Sequence, residues 1–269
     1  MVMRRLAFRV ILCLGMVCVG ARVQARTLDE ILKAGEIRVG VNVLIPPRAQ
    51  FDDKNVITGF DPDLASAIAA RLGVKLTLVN VNGPERIPFV ATDRIDVTMG
   101  GMTRSADRAK VIDFTVPITG NNYGVVTRED THISTLAELN RETATIAMAR
   151  GTAVLPTVQA LLPKAKFILL DNIPDRDRTL AQGRADAIVD LIDNPAMVKT
   201  YPDLHWKIFA TPEIPGSYDC LGVAKGNASL RDWLNIAIWE LHTSGFIAAD
   251  WTKWFGRPMP APVPVSPFF

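Results

Sequence analysis

The segment from Gly100 to Pro117, GGMTRSADRAKVIDFTVP, combines residue types that can hold a carboxylate. Its glycine pair ends an apolar run typical of a buried strand, and glycine lets backbone N–H groups approach a ligand closely. Thr103 supplies a hydroxyl, and Arg108, five residues further on, offers a guanidinium that can match two carboxylate oxygens at once. We therefore predict a carboxylate-binding loop. Its contacts are Arg108, Thr103 and the backbone of Gly101 and Met102.

Taken alone, Arg108 also fits a solvated surface arginine, because arginine side chains are mostly exposed. Further segments favour the binding role. With GFDPDLASAIAARLGVKL upstream and RGTAVLP, QGRADAIVD and KWFG downstream, the chain resembles the bacterial extracellular solute-binding proteins of family 3. The resemblance runs from about Thr27 to Gly256, and its motifs occur in the family's order. It implies a polar amino acid receptor of an ABC importer.

The same resemblance implies an α/β fold of the two-lobed, type II periplasmic binding protein class, with a hinge and a ligand cleft between the lobes. Without the first 25 of its 269 residues, the chain still exceeds a comfortable single hydrophobic core. We assign residues 26–118 and 217–258 to lobe 1 and residues 122–212 to lobe 2. The chain is expected to cross between them near 118–122 and again near 213–217.

Both ends of the chain differ in composition from the rest. Residues 1–25 have the arginines, apolar run and small residues of a secretory signal peptide, which predicts a periplasmic location. Removing them takes away four arginines and no acid, so the net charge changes from +2 to −2 and no nucleic-acid partner is predicted. Residues 259–269 are Pro-rich and are predicted to form an extended tail.

The family resemblance also implies ligand contacts from the second lobe. Its turn in RGTAVLP closes on the same carboxylate, which implies contacts from Thr152 and Ala153. In relatives an aspartate pairs with the ligand ammonium at the position of Leu191, whereas this chain has Asp190 one residue earlier. A one-residue offset in a strand reverses the side-chain direction. We assign Asp190, with a register shift or bulge to aim it, and keep Asp193 as the alternative.

One loop departs from the family pattern. The residue after its Pro-Pro pair is usually an aromatic that packs over the ligand side chain, and here it is Arg48. Either Phe51 replaces that aromatic or the ligand is of another kind. Arg86 is a further candidate contact, with a surface arginine as the alternative. Four arginines lie in loops expected to border the cleft: Arg48, Arg86, Arg104 and Arg150. We therefore predict a polar or acidic ligand side chain rather than an aromatic one.

Three local features carry structural predictions of their own. Asp61 is predicted to cap the helix that ends before Gly73, because aspartate is a favoured N-cap residue. Cys220, the one cysteine outside the leader, is predicted to be a small buried hydrophobe. The aromatic residues from Trp251 to Phe255 are predicted to anchor the core.

The sequence lacks the parts of several enzyme and metal sites. Its three histidines are far apart, and no nucleophile elbow, P-loop or dinucleotide fingerprint is present, so we predict no metal and no cofactor. The predicted function is a monomeric binding protein, not an enzyme, that delivers an amino acid or analogue to an ABC permease. The alternative is an enzyme similar to cyclohexadienyl or prephenate dehydratase on the same fold. Glu85 is the candidate general acid for that alternative.

Overall fold

The computed structural model describes residues 25–192, 196–261 and 263. The strands are β1 (Glu36–Val41), β2 (Gln50–Phe51), β3 (Ile57–Thr58), β4 (Lys75–Asn80), β5 (Val97–Thr98), β6 (Ile112–Asn121), β7 (Tyr123–Arg128), β8 (Thr145–Ala149), β9 (Lys166–Leu170), β10 (Ala187–Leu191), β11 (Trp206–Ala210) and β12 (Ser217–Ala224). The α-helices are α1 (Leu28–Ala34), α2 (Phe60–Leu72), α3 (Arg86–Ala91), α4 (Leu155–Leu161), α5 (Ile173–Ala181), α6 (Ala196–Thr200), α7 (Ala228–Thr243) and α8 (Phe246–Phe255).

The strands form two mixed five-stranded sheets. The first has the order β4-β1-β5-β12-β6, in which β1 runs parallel to β4 and β5 while β12 is antiparallel to β5 and β6. The second has the order β11-β7-β10-β8-β9, in which β7 is antiparallel to β10 and β11. Two α/β units of this kind, with the cleft between them, confirm the predicted two-lobed fold class.

Two short chain segments connect the two sheets. Strand β6 of the first sheet passes into β7 of the second through Asn122 alone, and the chain returns between β11 and β12. The two crossings run side by side, because Ser217 at the start of β12 pairs with Asn121 at the end of β6. Paired crossing strands suit a hinge between two rigid bodies. The residue bounds assigned to each lobe stay predictions.

Each sheet packs its own hydrophobic core. In the first, Trp251 is fully buried and stacks on Phe255 at a centroid distance of 3.7 Å, with Phe60 edge-on at 5.5 Å. These contacts confirm that the C-terminal aromatic residues anchor the core. Cys220 is buried in β12, as predicted, and burial raises the pKa of its thiol to about 12. A separate core around Val125 and Ile146 lies in the second half.

Asp61 does not cap helix α2, so that prediction is wrong. The N-cap residue is Gly59, whose φ of 139° favours glycine, and a Cβ there would lie 2.4 Å from the carbonyl oxygen of Arg48. The Asp61 carboxylate instead accepts a 2.9 Å hydrogen bond from the backbone N–H of Gly100. The helix therefore starts two residues earlier than predicted, where the Arg48 backbone packs against Gly59, and Asp61 is free for this contact.

The predicted leader lies outside the described residues except for residue 25, as does most of the predicted tail. Within its described part, Ala261 forms an antiparallel bridge with Gly120 on β6. In the ranges that the structure describes, no helix combines the length and apolar character required to cross a bilayer.

Two carboxylates meet where α2 packs on α8. Asp250 is buried, and within the described residues its Oδ2 has no hydrogen-bond partner. Burial, followed by the neighbouring Asp63 carboxylate, raises the pKa of Asp250 to about 7. Asp63 in turn accepts a 2.8 Å hydrogen bond from Nε1 of Trp254 and pairs with Lys253. The fold therefore favours a protonated Asp250 beside an ionised Asp63.

This pair makes stability depend on pH. The folded pKa of Asp250 lies above the ordinary value of about 4, so folding takes up a proton between these values, and the free energy of unfolding falls as pH rises from about 4 to about 7. Asp250→Asn needs no proton and is expected to raise the melting temperature at pH 8 by about 2–4 °C, and by clearly less at pH 5. Scanning calorimetry at both pH values checks this.

Asp53→Asn, which removes the same charge at an exposed position, is the control and is expected to change neither melting temperature. An Asp250→Asn protein that melts no higher than wild type at pH 8 contradicts the assignment.

Candidate ligand-binding site

A cavity of about 270 Å³ lies between the two lobes, next to the crossing strands. Pockets for drug-sized ligands start at roughly 300 Å³, so this space suits one small molecule. Most of the predicted ligand contacts line it: Arg48, Arg86, Gly101, Thr103, Arg108, Thr152, Ala153 and Asp190. The structure therefore places predicted residues from both lobes around a single cavity.

The carboxylate loop is held in place by its backbone. Gly100 and Gly101 have φ values of 81° and 64°, a conformation that glycine adopts without strain. The N–H of Gly100 donates to Asp61, and its carbonyl oxygen accepts from Nη1 of Arg86. Burial is the main cause that raises the pKa of Asp61 to about 6. Two buried charged side chains therefore fix the peptide that precedes Thr103.

Arg108 lies in a short 3-10 helix, Arg108–Lys110, and its guanidinium reaches across the cleft. Nη1 donates to the carbonyl oxygen of Thr103 at 2.6 Å, and Nη2 donates to the carbonyl oxygen of Gly151 at 2.6 Å. The first contact is within lobe 1, whereas the second joins lobe 1 to lobe 2. Burial lowers the pKa of Arg108, yet arginine keeps its charge at neutral pH. The structure is thus a closed arrangement of the lobes.

The turn that faces Arg108 from lobe 2 belongs to the RGTAVLP segment. Gly151 has a φ of 77°, and a Cβ at this position would lie 3.3 Å from Pro84 of lobe 1, so the two backbones approach closely. Thr152 and Ala153 follow at the cavity wall. The Thr152 hydroxyl donates to the carbonyl oxygen of Ala149 at 3.1 Å, and the Thr152 backbone N–H donates to the same oxygen at 3.5 Å.

Asp190 reaches the cavity without the predicted register shift. Strand β10 pairs with β7 in unbroken register, with Asp190 opposite Gly124, and Ile188 lines the same cavity. Because side chains two residues apart share a face, ordinary alternation is sufficient to aim Asp190 inwards. The alternative, Asp193, lies outside the described residues.

Sequence reasoning missed the partner of Asp190. Arg176 on α5 is buried, pairs with the Asp190 carboxylate through Nη1 and donates to Asp177 through Nε at 2.9 Å. The backbone N–H of Leu191 also donates to Asp190 at 2.9 Å. Burial is the main cause that raises the pKa of Asp177. Asp177 and Asp190 thus share one guanidinium, which leaves a net negative charge at this wall. No spacing in the sequence indicated this pairing.

Arg48 lies in a buried network rather than free at the cleft. Its Nη2 donates to Asp219 at 2.7 Å, its Nη1 lies 3.8 Å from Asp61, and the guanidinium carbon is 5.6 Å from the Trp251 ring. The other Asp219 oxygen accepts from the Thr103 hydroxyl at 3.1 Å. The Arg48 side chain therefore links the Pro-Pro loop to the carboxylate loop and is already neutralised.

Arg86 is buried at the cavity wall behind the carboxylate loop. Its Nε donates to the carbonyl oxygen of Gly83 at 3.3 Å, while Nη1 donates to Gly100. Burial, followed by the positive charge of Arg108, lowers the pKa of Arg86 to about 10. Two guanidinium groups that repel each other at one wall favour an anion between them.

Other sequence candidates lie away from the cavity. Met102 packs into the core of the first lobe, and its carbonyl oxygen accepts from the Cys220 N–H. Phe51 is exposed on β2 and does not replace the aromatic of the Pro-Pro loop. Glu85, the candidate general acid, is exposed and reaches back to the N–H of Asn82, outside the cavity wall.

The predicted preference for a polar or acidic ligand loses most of its basis. Arg104 lies over the Tyr218 ring and Arg150 pairs with the exposed Asp171, and neither lines the cavity. Arg48 lines it but is compensated by acids. Tyr123, which sequence reasoning did not single out, lines the cavity at the first residue of β7, and burial raises the pKa of its hydroxyl.

Residues 37–257 match the family model of the bacterial extracellular solute-binding proteins, family 3. The chain belongs to this family. This family 3 protein is 28% identical to the ABC transporter arginine-binding protein 1 of Escherichia coli, over 82% of this chain and 91% of that one. It is 26% identical to the cyclohexadienyl dehydratase of Pseudomonas aeruginosa, over 67% of this chain and 69% of that one.

Solved structures agree with this membership. A solute receptor for L-cysteine of Neisseria gonorrhoeae aligns with a TM-score of 0.79 and 26% identity, covering 85% of this family 3 protein and 93% of that chain. The named relatives differ in what they bind or convert, so membership by itself does not define the ligand of this protein.

The Arg48–Asp219 pair yields a stability prediction. Asp219→Ala leaves a buried guanidinium without its main acceptor and is expected to lower the free energy of unfolding by about 3–5 kcal/mol. Urea unfolding followed by circular dichroism measures this loss.

Asp107→Ala, which removes the exposed partner of Lys110, is the matched control and is expected to have little effect. Equal losses from the two substitutions contradict a structural role for the buried pair.

Proposed function

We propose that the protein is a periplasmic receptor that captures an amino acid, or a close analogue, in the cleft and delivers it to the permease of an ABC importer. The observation that carries the proposal is the position of Arg108, which bonds lobe 1 at Thr103 and lobe 2 at Gly151 beside a cavity of small-molecule size. The family membership and the named amino acid-binding relatives support the same reading.

At the carboxylate end of the ligand, lobe 1 supplies the guanidinium of Arg108 and the backbone of Gly101. The Thr103 hydroxyl, which donates to Asp219 in this structure, joins them when its proton turns to the ligand. Lobe 2 adds the turn at Thr152 and Ala153. The Met102 side chain packs in the core, so this residue takes part only through its backbone, as predicted. Bonds to a charged group contribute about 1.5–3 kcal/mol each, so Arg108 supplies a large share of the affinity.

At the ammonium end, the Asp190 carboxylate pairs with the ligand ammonium group, and Asp177 lies close by. Arg176 holds both carboxylates, which orients them before the ligand arrives. Each carboxylate oxygen has more than one lone pair, so the bond from Arg176 does not exhaust the acceptor capacity of Asp190. The two ends of a zwitterion thus meet opposite lobes.

Closure follows from this division of contacts. A ligand that bonds lobe 1 through its carboxylate and lobe 2 through its ammonium group binds the closed form more tightly, and this difference drives the hinge. The permease then recognises the closed form. Export through the predicted leader of residues 1–25 and a monomeric state belong to the same proposal.

Loss of the guanidinium tests the carboxylate site. Isothermal titration calorimetry uses the amino acid that raises the melting temperature most in a screen of the twenty. Arg108→Ala is expected to weaken its binding about 100-fold or more. Arg104→Ala, a nearby arginine outside the cavity wall, is the control and is expected to keep the wild-type affinity. Undiminished binding by the Arg108→Ala protein refutes the assignment.

Small-angle scattering tests closure. The same amino acid, added at saturation, is expected to reduce the radius of gyration, because the lobes otherwise exchange with an open form. The Arg108→Ala protein under the same conditions is expected to stay expanded. A radius that does not change on ligand addition, with binding shown by calorimetry, counts against the hinge.

A further inference from the structure

The charged groups of the cavity wall and the acids bonded to them balance within the described residues. The guanidinium groups that line the cavity belong to Arg48, Arg86, Arg108, Arg176 and Arg178. The carboxylates that line it, or that pair with these arginines, belong to Asp61, Asp175, Asp177, Asp190 and Asp219. Five positive charges therefore face five negative charges, so the charged groups that the structure describes here sum to zero.

This neutral site is polarised between the lobes. Lobe 1 contributes three of the guanidinium groups and only two of the acids, Asp61 and Asp219. Lobe 2 contributes two guanidinium groups and three acids, and its Arg178–Asp175 pair lies at the exposed rim. One surplus positive charge thus faces one surplus negative charge across the cleft. A zwitterion with a neutral side chain compensates both surpluses and keeps the closed site neutral.

The remaining wall combines four polar residues, Asn121, Tyr123, Thr200 and Tyr201, with a larger apolar area. Lobe 1 presents Leu44 and Ile45, and lobe 2 presents Ile173 and Pro174; all four line the cavity and are half-buried. Arg48, the arginine best placed to meet a ligand side chain, keeps its 2.7 Å bond to Asp219. A second carboxylate on the ligand would meet an Arg48 guanidinium that is already paired, and burying a charge without an ionic partner is unfavourable.

Resting on the proposed function, we propose that the ligand is a neutral amino acid with an apolar side chain, and that Arg48 belongs to the wall instead of binding a ligand carboxylate. This reverses the polar or acidic preference predicted from the loop arginines. The apolar residues of the two lobes then enclose the side chain on closure, while the polarised wall excludes glutamate, aspartate, lysine and arginine.

Sets of probes with similar shape and different polarity test the proposal on the wild-type protein. Free leucine, asparagine and aspartate form one set, and free methionine, glutamine, glutamate and lysine form the other. Calorimetry is expected to rank leucine and methionine first in their sets, and at least about 100-fold tighter than the charged members. Binding led by a charged amino acid, or by asparagine or glutamine, overturns the proposal and leaves the proposed function standing.

If none of the twenty amino acids binds and native mass spectrometry of the purified protein finds neither an amino acid nor an analogue attached, the proposed function and this inference both fail. The two failures are therefore distinguishable in one set of measurements.

A charge variant tests the physical argument directly. Asp177→Asn removes one negative charge from the lobe 2 wall and makes the site positive, so the affinity ratio of glutamate to methionine is expected to rise about 10-fold. Asp171→Asn removes the same charge from an exposed pair on the same lobe, outside the cavity, and is expected to leave the ratio unchanged. Equal ratios in the two variants, each shown to be folded by its melting curve, overturn the charge-balance argument.

Discussion

A buried guanidinium without acceptors is strongly unfavourable, and the first lobe is built around satisfying one. Arg48 bonds Asp219 and lies near Asp61. Both acids also hold the carboxylate loop, since Asp219 accepts from the Thr103 hydroxyl and Asp61 accepts from the Gly100 N–H. The same electrostatic requirement that keeps Arg48 paired therefore fixes the peptide that presents the binding groups.

The second lobe also pairs its buried charged groups, but its surplus charge is negative. Arg176 is shared by Asp177 and Asp190, so two acids are oriented by one cation and a negative charge remains at the wall. Both binding surfaces are thus assembled within their own lobes, and closure only brings them together. Groups that are ordered before binding cost less to use, which favours affinity for a small ligand.

Arg108 connects these two surfaces. Its short bonds to Thr103 and Gly151 make it part of the closed interface as well as of the cavity wall. A ligand carboxylate at this point therefore acts where the lobes meet, and binding and closure depend on the same guanidinium. The family supplies this framework, while its named members take different small molecules, so selectivity must reside in the rest of the wall.

The sequence by itself indicated the two-lobed α/β class, through its resemblance to family 3, and it predicted eight of the residues that line the cavity. Glycine positions and apolar periodicity, which act over a few residues, located the carboxylate loop. Only the tertiary structure decided which charges neutralise each other. Arg48 and Asp219 are 171 residues apart and meet because β12 lies beside β6. The same holds for Asp61, whose capping pattern is local but whose actual partner, Gly100, is brought in by the sheet. Ion pairs between residues far apart in the chain leave no periodic pattern in the sequence. The balance of charges at the site could therefore be read only from the tertiary structure.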